Sequence, residues 1–470
     1  MLFSSSVFIF IFLPVVFVFA FMLKNYSGTL RNVFLVLASL FFYGYWNPAY
    51  LPLIVISILV NYSISKMLGS GPRAKLWLFL GVTANLLVLV VFKYLDFLIV
   101  NVNALGWAGD PIGLVLPLAI SFFTFQQIAY LVDSYRGQVG KTNLLDYALF
   151  VTFFPQLIAG PIVHHKEMMP QFKSSRIRLA AIAEGGALFS IGLFKKIVIA
   201  DYFGEYADMG YANVNNLDFW GAWSTSLSYT VQLYYDFSGY CDMAMGAALF
   251  FGIRLPINFN SPYRACNIQD FWRRWHMTLS RWLRDYVYIP LGGNRIGEVF
   301  TYRNLLITFV LGGIWHGAGW GFLMWGIMHG VGVALHRFWQ ELGLRLYRPI
   351  GWVLTILFVH FSWVFFRAKD LATAKSMMER MVFYEPSLLD SFSFYRSMYL
   401  TGTDQINGGY IVVLAALAMG ATLVFKNSVN LAAMVNDRPV ALAVLSGTAF
   451  MIGVILMVGA SSETFLYFNF

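Results

Sequence analysis

Residues 254–320 read RLPINFNSPYRACNIQDFWRRWHMTLSRWLRDYVYIPLGGNRIGEVFTYRNLLITFVLGGIWHGAGW. Arg254 to Arg303 holds eight arginines, three acids and His276, inside a chain that is otherwise apolar. The sequence then turns apolar again and ends a short run with His316, in GGIWHG. Each half of the stretch thus carries one histidine. The two are read as one site, and the rest of the chain as a membrane wall built around it.

Composition supports the wall. The chain has 470 residues, 59% hydrophobic and 12% charged, with a mean hydropathy of +0.65. A soluble domain carries roughly 25% charge. Half that, spread over many apolar runs, implies a polytopic membrane protein, read here as one domain over residues 1–470 with 254–320 as its catalytic core. The net charge of +9 fits a positive-inside bias and contact with anionic headgroups, not nucleic acid. Cys241 and Cys266 are the only cysteines and offer neither a metal spacing nor a disulfide framework.

An all-α bundle of about eleven transmembrane helices is expected from runs near the roughly 20 residues a span requires. The runs 33–46, 240–253 and 304–316 are too short and read as half-helices or re-entrant pieces. Residues 7–23 form the first span. Lys24 and Arg31 follow it, which places the N-terminus outside.

Several polar residues interrupt the apolar runs. Ser121, Thr124, Gln126 and Gln127 either bond between helices or line a cavity. Pro155, Gly160 and Pro161 break the run in FFPQLIAGPIVHHKEMMPQFK, residues 153–173. His164 and His165 just beyond read as a solvated loop. Adjacent histidines point in different directions and make a poor chelating pair. Lys195 and Lys196 sit in another run, and Asp201 is placed to partner one of them. Asp236 and Asp242 flank Gly239, either as functional carboxylates or as acceptors that fix a helix break. Loop 368–405 has mixed charge and no legible motif.

Laid out at about 100° per residue, Ile268 to Tyr286 forms an amphipathic helix. Its aromatic face carries Trp272, Trp275 and Trp282. Its basic face carries Arg273, Arg274, Arg281 and Arg284, with Asp270 and Asp285 at ion-pair spacing. Such a helix lies at the membrane interface, and its arginine forks suit phosphate. His276 falls at the border of the two faces. His316 follows LLITFVLGGIW and should lie inside the membrane region, where an ionisable group is costly and usually functional. A neutral imidazole there is a fit general base. His329 reads as packing. No HExxH or HxxxH pair argues for metal, and GxSxG is absent.

These residues resemble the membrane-bound O-acyltransferases. The matching motifs are DFSGYCDMAMG, NFNSPY, FWRRWHMTLSRWLRDYVYIPLGGNR and GGIWHGAGWGFLMWGIMHG, with LFSSSVFIFIFLPVVF and PQLIAGPI. The resemblance lies closest to the bacterial branch that acetylates alginate and cellulose. It implies a helical bundle around a central tunnel, with His316 as the catalytic histidine and His276 as the second. It implies acetyl-CoA as donor, with no permanently bound cofactor and no metal. Arg273, Arg274, Arg281 and Arg284 would meet the CoA phosphates. Periplasmic or membrane-anchored acetylation proteins are expected partners, and the bacterial inner membrane the location. A flippase for an acylated carrier would need two related halves, which are not visible. A scaffold for polysaccharide export would not explain two histidines in these settings.

Overall fold

The computed structural model describes residues 1–69, 71–174, 177–383, 408–435 and 437–459, and every regular element among them is helical. Among the described residues, five helices are long and apolar enough to span a bilayer: Phe8–Tyr26, Pro48–Met67, Ala74–Lys93, Arg348–Arg367 and Pro439–Val458. The bent pair Ile411–Val424 and Ser428–Val435 makes a sixth if counted as one span. The protein is a multi-pass, all-α membrane bundle. Other apolar runs differ from the expected spans in length or polarity. Leu179–Phe194 runs on through the π turn Lys195–Ala200 into Asp201–Ala212, and this continuous helix buries Lys196. Phe219–Phe250 is long enough at 32 residues, but buries Ser224, Thr225, Ser228, Thr230 and Asp236. Of the loop 368–405, Leu371–Val382 is helical, and 384–407 lie outside the described residues.

The chain divides into two units. The first comprises residues 1–193, 240–257 and the C-terminal segment from 431. Its core is built from phenylalanines. Phe12 meets Phe154 edge-on at 5.2 Å, Phe42 lies 5.6 Å from Phe154, and Phe154 lies 5.7 Å from Phe251. Such edge contacts use the ring quadrupole as well as area. The outside stays apolar: Phe79 is 65% and Leu87 58% exposed, a surface that only lipid makes tolerable.

Polar residues in this unit bond between helices. Gln127 donates to Ser57 Oγ at 2.8 Å and accepts from Tyr147 Oη at 3.0 Å. Gln126 donates to the Phe150 carbonyl at 2.7 Å. Of the two readings of this polar set, these bonds favour helix-to-helix contact for the glutamines. Arg31 is buried and donates to the Phe172 carbonyl, so it is a packing residue more than a headgroup charge. The prolines break the helix as expected: Phe154–Leu157 is one short turn, and Ser39 Oγ accepts the Phe154 N–H at 3.1 Å.

The second unit comprises residues 194–239 and 258–430. Its centre is the hairpin of helices Glu298–His316 and Trp320–Glu341. Glycines let the two backbones touch. A Cβ on Gly313 would lie 2.4 Å from the Phe322 carbonyl oxygen, and one on Gly326 would lie 2.6 Å from that of Phe309. Small residues at such crossings replace the hydrophobic drive that lipid cannot supply.

Candidate active site

The helix expected over 268–286 is broken. Ile268–Trp272 ends in a turn, Met277–Leu283 starts anew, and Arg284–Tyr288 is a π turn. His276 sits at the break with φ +43°. The cause is a segment upstream in the chain that competes for the backbone. Asn260 N–H donates to the Arg274 carbonyl at 2.9 Å, and Met277 N–H to the Asn258 carbonyl at 3.0 Å. These bonds replace helical ones, so periodicity alone does not carry through residues 273–276.

The break buries His276 fully and fixes its tautomer. Asn258 Oδ1 accepts the Thr278 N–H at 3.2 Å and the Thr278 hydroxyl at 2.9 Å. A backbone N–H can only donate, so that atom is the amide oxygen. It also lies 3.1 Å from His276 Nδ1, which must then carry the proton. Nε2 is left with its lone pair, buried and without a hydrogen-bond partner. Phe237 closes one side edge-on at 4.8 Å.

His316 ends its helix and is 3% exposed. Trp315 and Trp325 lie 5.0 Å from its ring and Phe366 lies 5.1 Å away. The His276 and His316 rings are 6.4 Å apart, inclined at 60°. Two residues far apart in sequence thus share one buried, aromatic enclosure. Such a place excludes water and strengthens every polar interaction inside it.

The four arginines do not share one helix face, because the helix is broken between them. Arg274 pairs with Asp270 at 2.9 Å. Arg273 and Arg284 are exposed. Arg274 also lines a cleft of about 950 Å³ together with Arg264, His336, Arg345 and Arg348. The cleft reaches Phe358 on helix Arg348–Arg367. From Phe358 to Phe366, beside His316, the helix advances roughly 12 Å at 1.5 Å per residue.

Two further histidines of this unit, His329 and His360, are used structurally. His329 Nδ1 accepts the Trp272 indole N–H at 3.1 Å, so Nε2 carries the proton and donates to Ser362 Oγ at 2.9 Å. His360 stacks on Trp223 at 5.2 Å, with its Nδ1 2.8 Å from the Thr230 hydroxyl. Lys196 is buried between Asp201 at 2.6 Å and Asp236 at 2.8 Å, so one of the two carboxylates flanking Gly239 belongs to an ion triad.

In the first unit, His164 and His165 are not a solvated loop. His165 is buried and opens helix His165–Ser174, while His164 precedes it in irregular backbone. Divergence of neighbours holds within one helix or strand, and this pair straddles a helix start. Both Nδ1 atoms face Asp133 Oδ2, at 3.7 Å and 3.4 Å. Burial, opposed by the nearby Asp133, pushes the His165 imidazole below its usual range. Among the described residues, Asp133, His164 and His165 form a group whose geometry could hold a metal ion.

The chain is similar to known proteins over most of its length. The model of the membrane-bound O-acyltransferase family matches residues 114–377. A peptidoglycan O-acetyltransferase of Helicobacter pylori is 45% identical over 100% of this chain and 98% of its own. A probable alginate O-acetylase of Pseudomonas aeruginosa is 44% identical over 81% of this chain and 75% of its own. A teichoic acid D-alanyltransferase of Bacillus subtilis is 27% identical over 49% of this chain and 61% of its own.

Proposed function

The chain belongs to the membrane-bound O-acyltransferase family and is an O-acyltransferase, and from that premise we propose that it moves an acetyl group from cytoplasmic acetyl-CoA to a hydroxyl on the far side of the bacterial inner membrane, for O-acetylation of a cell-envelope polysaccharide. The observation that carries this reading is the buried histidine pair, with rings 6.4 Å apart. The N-terminus faces the periplasm, and the hydroxyl belongs to a sugar or to a periplasmic acetylation protein that passes the group on.

The cleft lined by Arg264, Arg274, Arg345 and Arg348 takes the CoA phosphates, since guanidinium forks match phosphate oxygens. This revises the expected set, of which Arg274 lines the cleft. His316 removes the proton of the accepting hydroxyl as its oxygen attacks the thioester carbonyl. A C–O bond forms, the C–S bond breaks, and the imidazolium returns the proton to the CoA sulfur. The hydroxyl's one proton goes to His316, so the Nε2 lone pair of His276 accepts from a neighbouring N–H or O–H of the donor or acceptor molecule and orients the reacting pair. The Trp325 indole N–H, buried without an acceptor beside His316, is the donor we assign to the tetrahedral oxyanion.

An exopolysaccharide such as alginate or cellulose fits the alginate O-acetylase relatives. A second reading, peptidoglycan, is favoured by the match along nearly the whole length of the Helicobacter pylori protein. The test is turnover of labelled acetyl-CoA by the purified protein in detergent, with its periplasmic partners and each acceptor in turn. Wild type should acetylate one acceptor, and His316→Ala should lose all turnover while still binding donor. Wild-type turnover in His316→Ala would overturn the assignment.

A further inference from the structure

We propose that Asp133, His164 and His165 form a site for one divalent transition-metal ion of the zinc type, in the unit of the chain that does not carry the acyl-transfer histidines. One ligand atom from each residue lies within 4.8 Å of the other two. Asp133 is 2% and His165 6% exposed, so these are not surface groups that happen to be near.

The distances speak for coordination. A charge-assisted N–H···O⁻ bond settles at about 2.7–2.9 Å. Here Asp133 Oδ2 stands 3.4 Å and 3.7 Å from the two Nδ1 atoms. Around a tetrahedral ion with bonds of about 2.0–2.1 Å, neighbouring ligand atoms lie roughly 3.3 Å apart. One carboxylate oxygen faces two imidazole nitrogens across gaps close to that spacing.

The surroundings match what holds metal ligands in place. Arg136 Nη1 lies 3.9 Å from the other carboxylate oxygen, Oδ1. His165 Nε2 faces the Gln138 carbonyl at 3.4 Å, which suits a ring that coordinates through Nδ1 and donates through Nε2. Tyr130 meets the His165 ring edge-on at 5.7 Å. Two imidazoles and a carboxylate suit zinc over magnesium or calcium, which want oxygen.

Position gives the ion a task. Asp133 lies in the last turn of helix Ile120–Tyr135, and His165 opens helix His165–Ser174. Between them run helix Leu144–Thr152 and the segment broken at Pro155 and Pro161. The ion would clamp both ends of that excursion and hold the broken backbone by its feet. Three protein ligands leave a tetrahedral ion one further position, for water.

The experiment uses the full-length protein in detergent, stripped with chelator. Co²⁺ titration should give visible d–d bands of a tetrahedral site, saturating at one ion per chain. Zn²⁺ should displace it and raise the thermal midpoint by about 3 °C at roughly 100-fold excess over Kd. Asp133→Asn and His165→Gln should abolish both effects. If either variant fails to fold, His164→Gln, the more accessible ligand, should weaken binding at least tenfold. Absence of a saturable Co²⁺ spectrum in the wild type would overturn the proposal, as would unchanged binding in His164→Gln.

Discussion

Replacing Asn258 by alanine tests the tautomer argument directly. The substitution removes the oxygen that accepts from His276 Nδ1, Thr278 N–H and the Thr278 hydroxyl at 3.1, 3.2 and 2.9 Å. A buried donor left without an acceptor costs about 1–3 kcal/mol. That is the bias by which Asn258 now holds the proton on Nδ1. Without it the proton can move to Nε2, and the lone pair leaves the site. The expected loss is roughly 10- to 100-fold in kcat, with KM for acetyl-CoA unchanged. Stability should fall as well, by roughly 2–5 kcal/mol, because His276 Nδ1 and Thr278 N–H both lose this acceptor. Asn258→Asp keeps the acceptor and should retain more activity than Asn258→Ala. The assay is release of CoA thiol by protein in detergent, beside His276→Asn. Asparagine suits that position because it tolerates the left-handed backbone of His276. If Asn258→Ala keeps wild-type kcat while His276→Asn is inactive, then Asn258 does not set the tautomer and the reasoning fails.

Three other outcomes follow from packing and charge. Gly326→Ala places a methyl 2.6 Å from the Phe309 carbonyl oxygen and should cost about 1–3 kcal/mol, read as a lower thermal midpoint. Gly420→Ala, with nothing within 4 Å, should be silent. Lys196→Met removes the cation between Asp201 and Asp236 and should destabilise by about 3–5 kcal/mol, an effect that adding Asp236→Asn partly reverses in chemical denaturation. Asp370 caps helix Leu371–Val382 by accepting the Thr373 N–H at 2.7 Å, which depresses its carboxyl pKa. A depressed folded pKa contributes stability above the unfolded value of about 3.9 that is lost as pH falls through the folded one. Asp370→Ala should therefore cost at most about 1 kcal/mol at pH 7, and nothing in acid.

The histidine pair was legible because each residue stood in a marked setting, one beside arginines and one ending an apolar run. Their meeting is a tertiary fact that those settings only suggest. The break at residues 273–276 was hidden because the apolar spacing of Ile268, Phe271, Trp272 and Trp275 continues helical phase up to it. The competitor, Asn258, lies 18 residues before His276, where no local period can report it. The ion triad was half visible: Asp201 sits within two helical turns of Lys196, whereas Asp236 arrives from another helix. Asp133 was missed for the same reason, since its neighbours in sequence make it look like an ordinary helix-end acid. His360 gave no signal at all, being one apolar-flanked histidine whose partners, Ser226 and Thr230, lie on another helix.

The order of the chain has a consequence for synthesis. The first unit needs the residues from 431, which leave the ribosome well after residues 1–193 and 240–257. At about 5–20 residues per second, the wait is on the order of ten to thirty seconds. During it, the face carrying Ile9, Leu13, Phe17 and Phe189 has not yet met Leu442, Ala443 and Phe450, with which it lines one cleft in the finished fold. A nascent chain paused in that interval is an open hydrophobic surface within the translocation machinery. How long that surface stays open is set by the translation rate.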